Sequence, residues 1–124
     1  MIRISEAEAV VMEVLGEAPP PAAEDVIARV AGRNDWAEAT VKTLLNRLLN
    51  KGAISAVKER RRYLYAPRVQ RDAWVLEESS SLLERLFDGR VAPLVAHFSQ
   101  HRKLGRDDVA ELRRLLEELD DDQP

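Results

Sequence analysis

Nine basic side chains fall between Glu38 and Arg71: Lys42, Arg47, Lys51, Lys58, Arg60, Arg61, Arg62, Arg68 and Arg71. Only Glu38 and Glu59 oppose them, so the stretch carries a net charge of +7. At that density, guanidinium and ammonium groups suit phosphate recognition, in which each cation releases condensed counterions from a polyanion. The whole chain has a net charge of −3, which by itself weakly discourages such a partner. That sum hides an asymmetry. Residues 1–71 hold 12 Lys/Arg and 9 Asp/Glu, whereas residues 72–124 hold 7 and 13. The local field governs encounter with phosphate, so a polyanion site is expected on the first half alone.

Catalytic chemistry has little to work with. The chain has no cysteine and two histidines, which removes thiol nucleophiles, thiolate metal sites and any disulfide framework. His97 and His101 stand four apart and could chelate zinc from one helix face. A third ligand has only generic candidates such as Asp107, so two surface or interface histidines is the favoured reading. No glycine-rich phosphate loop, Ser/His/Asp set or spaced carboxylate pair occurs. The expectation is a protein that is not an enzyme, with no catalytic residue, metal or cofactor.

The elements that must position the basic residues are helical. A chain of 124 residues is one domain, or one small domain with an appendage. Few aromatics and five glycines argue against a barrel or sandwich. Ser5 and Glu8 form a capping box for a first helix bearing Val11, Met12 and Leu15. Gly16 and Pro19-Pro20-Pro21 end it. A second helix over residues 22–30 buries Val26, Ile27 and Val30. After the Gly32–Asp35 turn and Trp36, a third helix carries Val41, Leu44, Leu45, Leu48 and Leu49 at one-sided spacing and closes at Gly52. The period then changes. Residues 53–58 read as a strand, Glu59–Arg62 as a charged turn, and Tyr63–Ala66 as the returning strand, stopped by Pro67. Three helices follow, over residues 70–88, 90–100 and 106–119, and the acidic tail 120–124 is expected to fray. The Ser79-Ser80-Ser81 run weakens the first of these three.

Helix, helix, helix, hairpin with the charge on the third helix and the hairpin is the layout of a winged helix-turn-helix. A helix fits the major groove of B-DNA. On the third helix Thr40, Lys42, Thr43, Asn46 and Arg47 face outward and are the candidate DNA-binding residues, and the helix N-terminus also favours phosphate. Lys58, Arg60, Arg61 and Arg62 would ride on the wing and meet the backbone or minor groove. Residues 1–68 are thus expected to form the DNA-binding domain, and residues 69–124 a helical dimerisation region. Apolar stripes on short trailing helices leave an interface to cover. Its candidate residues are Leu83, Leu86, Phe87, Leu94, Val95, Phe98, Leu112, Leu115 and Leu116. No apolar run spans a membrane and no signal core follows Met1, so a cytoplasmic protein is expected. A protein-interaction adaptor docking an acidic partner is the alternative that these features leave open.

Several stretches resemble the BlaI/MecI/CopY family of penicillinase-repressor type. They are Ile4-Ser5-Glu6-Ala7-Glu8, the run from Trp36 through Thr40-Val41-Lys42-Thr43 to Lys51-Gly52, and Tyr63-Leu64-Tyr65-Ala66-Pro67. Leu86-Phe87-Asp88-Gly89, Leu94-Val95-Ala96-His97-Phe98 and Leu104–Leu116 extend the resemblance over nearly the whole chain. It implies a mainly α fold with a small β-hairpin wing. It also implies a homodimeric repressor on a palindromic operator of β-lactamase or other antibiotic-resistance genes, or one answering a signal other than β-lactams. A membrane sensor-protease is an implied partner, with regulatory cleavage at a bond that here is His97-Phe98, where the family has Asn-Phe. Ala9 and Gly16 stand where the family often has Trp, and Ala37 where it has Ser, an N-cap that Asp35 could replace. The absence of cysteine excludes the copper-sensing mode of the family.

Overall fold

The computed structural model describes residues 2–17 and 19–122. Helix α1 (Glu6–Leu15) starts where the capping box requires. The Ser5 hydroxyl accepts the Glu8 backbone N–H at 3.1 Å, and the Glu8 carboxylate accepts the Ser5 N–H at 2.9 Å. Helix α2 (Ala23–Ala31) follows the proline connector. With Ala22 at its N-cap it lacks a side-chain cap, but Asp25 reaches back to accept the Ala22 N–H at 3.0 Å. Helix α3 (Glu38–Lys51) begins after Ala37 with no side-chain cap at all, so Asp35 does not take that role. Its other end is well closed. Gly52 adopts φ 77°, and the Ala53 N–H returns to the Leu48 carbonyl at 3.0 Å. A residue with a Cβ would be strained there.

The three helices bury one shared core. Val11, Met12, Leu15, Val26, Val30, Val41, Leu44, Leu45 and Leu48 are almost inaccessible to solvent. Each such side chain contributes about 1.5–3 kcal/mol relative to exposure. Trp36 packs half-buried against this core just ahead of α3.

Strands β1 (Ile54–Glu59) and β2 (Arg62–Pro67) pair antiparallel, Ile54 opposite Pro67 and Glu59 opposite Arg62. The turn is therefore tighter than the four-residue turn expected from sequence. Glu59 and Arg62 join the ladder as an opposite-charge pair, leaving only Arg60-Arg61 to reverse the chain. Two-residue turns whose twist matches the strands need a positive φ, and Arg60 supplies it at 60°. The base of the wing is anchored to the segment ahead of α2, since the Tyr65 N–H donates to the Pro21 carbonyl at 2.9 Å. Pro67 ends β2 inside the ladder as its last paired residue.

Helix α4 (Arg71–Phe87) runs unbroken through the serine run. The Ser79 hydroxyl turns back onto the Val75 carbonyl at 2.7 Å, which satisfies it within the helix. Trp74 is buried in the core of the first unit, so the start of α4 belongs there. The chain divides into compact units after Ser80. The second unit holds the end of α4, then α5 (Val91–Gln100) and α6 (Arg106–Asp122). The expected fraying at residue 120 is not seen: α6 continues to Asp122, and Gln123 and Pro124 lie outside the described residues. No described helix is long and apolar enough to cross a membrane.

Candidate nucleic-acid interface

Helix α3 is two-faced by construction. Val41, Leu44, Leu45 and Leu48 point into the core, so the intervening positions must point out. Thr40, Lys42, Thr43, Asn46 and Arg47 are all exposed, together with Glu38 and Asn50. The structure thus brings the five predicted residues of this helix onto its solvent side. Their states differ. Lys42 Nζ lies 2.9 Å from Glu38 Oε1, one helical turn back. The Thr43 hydroxyl donates to the Ala39 carbonyl at 2.9 Å. Among the described residues no ion pair or side-chain hydrogen bond holds Asn46 or Arg47.

The wing presents Lys58, Arg60, Arg61 and Arg62, all exposed. Arg62 leans toward Glu24 of α2 at 3.6 Å, an exposed pair of little energetic weight. Only Gly52 and Ala53 separate α3 from β1, and the Arg68 N–H ties the end of the wing back to the Ala53 carbonyl at 2.8 Å. One residue missed by sequence reasoning joins this set. Tyr63 is 51% exposed and sits across the ladder from Lys58, with a phenol able to donate to a phosphate or sugar oxygen. Alternation placed it on the face of Tyr65, which packs on the core. Distance toward the tip separates their fates.

Four of the nine bases have ion-pair partners within the fold: Arg62, described above, and Lys42, Arg71 and Lys51. Lys42 pairs with Glu38 as above. Arg71 pairs with Glu13 at 2.8 Å, which raises the pKa of the guanidinium, and it lies 5.8 Å from the Trp74 ring. Lys51 closes on the buried Glu8 carboxylate and donates to the Arg3 carbonyl at 2.9 Å. Burial alone would raise the Glu8 pKa. The hydrogen bonds from Lys51 and Ser5 outweigh it and hold the group below its ordinary value of 4.5.

In the second unit no described side chain is buried. Leu83, Phe87, Leu94, Val95 and Leu112 are half-covered, while Leu86, Phe98, Leu115 and Leu116 are exposed. Between α5 and α6 runs a groove of about 440 Å³ lined by Leu94, Val95, Phe98, Leu112 and Leu115, among others. The His97 and His101 rings lie with centroids 4.6 Å apart and tilted by 53°, and no group of three or more metal-ligating side chains occurs among the described residues. The His97-Phe98 bond lies within helix α5 and both side chains are exposed.

Known proteins share this arrangement. The sequence pattern of the penicillinase repressor family matches residues 4–118. The penicillinase repressor of Bacillus licheniformis is 31% identical over 116 residues, covering 94% of this chain and 91% of that protein. The methicillin resistance regulatory protein MecI of Staphylococcus aureus is 28% identical over 113 residues, covering 91% and 92%. Among solved structures, the monomeric form of Bacillus licheniformis BlaI in complex with the blaP half-operator superimposes with a TM-score of 0.52. It is 33% identical and covers 56% of this chain and 85% of that one. The match over residues 4–118 shows that the chain belongs to the penicillinase repressor family of winged-helix DNA-binding repressors, which are not enzymes.

Proposed function

We propose that this protein is a sequence-specific transcriptional repressor, acting in the cytoplasm as a homodimer on an operator with two half-sites. The observation that carries it is the solvent face of α3, which aligns Thr40, Lys42, Thr43, Asn46 and Arg47 beside a basic wing. Arg47 and Lys42 donate to guanine or phosphate, Asn46 pairs with adenine, and the Thr43 methyl meets thymine. Lys58, Arg60, Arg61 and Tyr63 fix register on the backbone. The second unit, in which no described side chain is fully buried within one protomer, supplies the dimer contact through α5 and α6. A palindromic operator follows from two-fold symmetry. The names of the relatives point to antibiotic-resistance genes as targets. A membrane sensor-protease acting at His97-Phe98 would have to unwind α5 before the bond became extended enough to cut.

Fluorescence anisotropy against duplexes from the protein's own promoter tests this. The expected result is a preference for one promoter site over random duplex at moderate salt, with affinity falling steeply as salt rises. Equal affinity for every duplex would overturn it. Arg47→Ala should flatten preference at one base position, while Arg61→Ala should weaken all sequences alike.

The wing turn offers a second check, because its effects on stability and binding oppose each other. Arg60→Gly relieves a positive φ that costs an arginine roughly 1–2 kcal/mol, partly offset by the freedom glycine gains when unfolded. The variant should melt slightly higher, by about 0.5 kcal/mol of stability, yet bind the operator several-fold more weakly through loss of one phosphate contact. Equal operator affinity in the two proteins would remove Arg60 from the interface.

A further inference from the structure

Glu38 is an exposed acid on the basic face of α3, and that placement restricts what it can do. It is the first residue of the helix, directly ahead of the outward row Lys42, Thr43, Asn46 and Arg47. A carboxylate only accepts hydrogen bonds. In this position it repels phosphate and cancels the anion affinity of the helix end, so it cannot serve backbone positioning. The N-terminal residues of a recognition helix face base edges. There the only donors in the major groove are the amines of cytosine and adenine, while guanine and thymine offer acceptors. Glu38 is also not alone, since its Oε1 lies 2.9 Å from Lys42 Nζ. The two side chains therefore present an acceptor and a donor side by side.

We propose that Glu38 is a specificity-determining residue which, with Lys42, reads a single C·G base pair in each half-site. This deepens the DNA-binding reading above and rests on it. The cytosine amine donates to Glu38, and the O6 and N7 of the paired guanine accept from Lys42. An A·T pair also sets a donor beside an acceptor, but fits worse. Adenine N7 faces the carboxylate with a lone pair, and the thymine methyl crowds the ammonium. A reversed pair places acceptors against Glu38. The Glu38–Lys42 pair sets acceptor and donor one helical turn apart on the same exposed face before DNA arrives.

The test is selection from a randomised duplex pool at fixed salt, followed by sequencing, with the full chain as wild type, Glu38→Ala and Glu38→Gln. Glu38 is solvent-exposed, so both variants keep the fold, which circular dichroism checks. Wild type should show a C·G preference of about tenfold at one symmetric position. Glu38→Ala should lose that preference alone, and Glu38→Gln should shift it toward adenine, whose N6 and N7 match an amide. A variant profile equal to wild type at every position overturns the proposal, as does a uniform gain in affinity with no change of preference. If wild type itself selects no sequence, it is the DNA-reading function that fails.

Discussion

A Phe98→Glu/Leu115→Glu variant is expected to sediment as a monomer at micromolar concentration and to lose at least about a hundredfold in affinity for a two-half-site operator. Both residues line the groove between α5 and α6 and stay 42% and 41% exposed in one protomer. Carboxylates there are hydrated in the free chain, so helix content should not change. Across a two-fold interface the same changes bury four charges without partners, each costing several kcal/mol. The proposed dimer cannot absorb that. The operator loss follows from linkage. In a dimer, binding of the first half-site delivers the second recognition helix at a high effective concentration, and a monomer forfeits that gain. Affinity for an isolated half-site duplex should stay within about twofold, because the α3 face is untouched. A variant that remains dimeric would show that the second unit pairs through another face, such as the one bearing Leu82 and Leu86.

The second large effect concerns stability. Lys51→Met should cost roughly 2–3 kcal/mol and lower the melting temperature by about 10 °C. Glu8 is the one buried charged residue among the described ones, at 1% exposure, and its Oε2 has no hydrogen-bond partner. Without Lys51 the carboxylate keeps only its hydrogen bonds with Ser5. The loss falls short of the full cost of an unpaired buried charge because Lys51 is itself 36% exposed, so water can partly replace it. Glu8→Gln with Lys51→Met should recover part of the loss, since the buried charge is then gone. The pH dependence has a definite sign. The Glu8 pKa is depressed by folding, so its contribution is complete above the ordinary value of 4.5 and is lost as pH falls through the lower folded value. Thermal melts of wild type should therefore fall off in acid more steeply than those of Glu8→Gln. Parallel curves would refute the assignment.

Much of this was legible in the residues because local rules and global packing agree. The Ser5–Glu8 box, the spacing of Val41, Leu44, Leu45 and Leu48, and Gly52 at a left-handed position each specify one helix boundary or face with no distant partner. The hairpin was legible as two strands but not in its turn. Nothing local told a four-residue loop from a two-residue one, since Arg60 at positive φ runs against arginine's own preference and is imposed by pairing of Glu59 with Arg62. The end of α6 escaped for a similar reason. Consecutive acids oppose the helix dipole at a C-terminus, and the helix persists to Asp122 regardless.

The charge asymmetry shows where the two levels of description part. Sequence alone determined that +7 lies between Glu38 and Arg71, because charge is a property of residue type and counting needs no coordinates. It also determined which α3 residues face outward, because helical periodicity does so once the apolar stripe is placed. Only the tertiary structure decided which of those cations have a partner within the fold. Lys51 is held by a carboxylate 43 residues away and Arg71 by one 58 residues away, whereas Arg47 stands without an ion pair among the described residues. Such pairings depend on which helices meet in the core, a non-local outcome that no window of sequence encodes. They separate the positive charge that holds the fold together from the charge left to meet a phosphate.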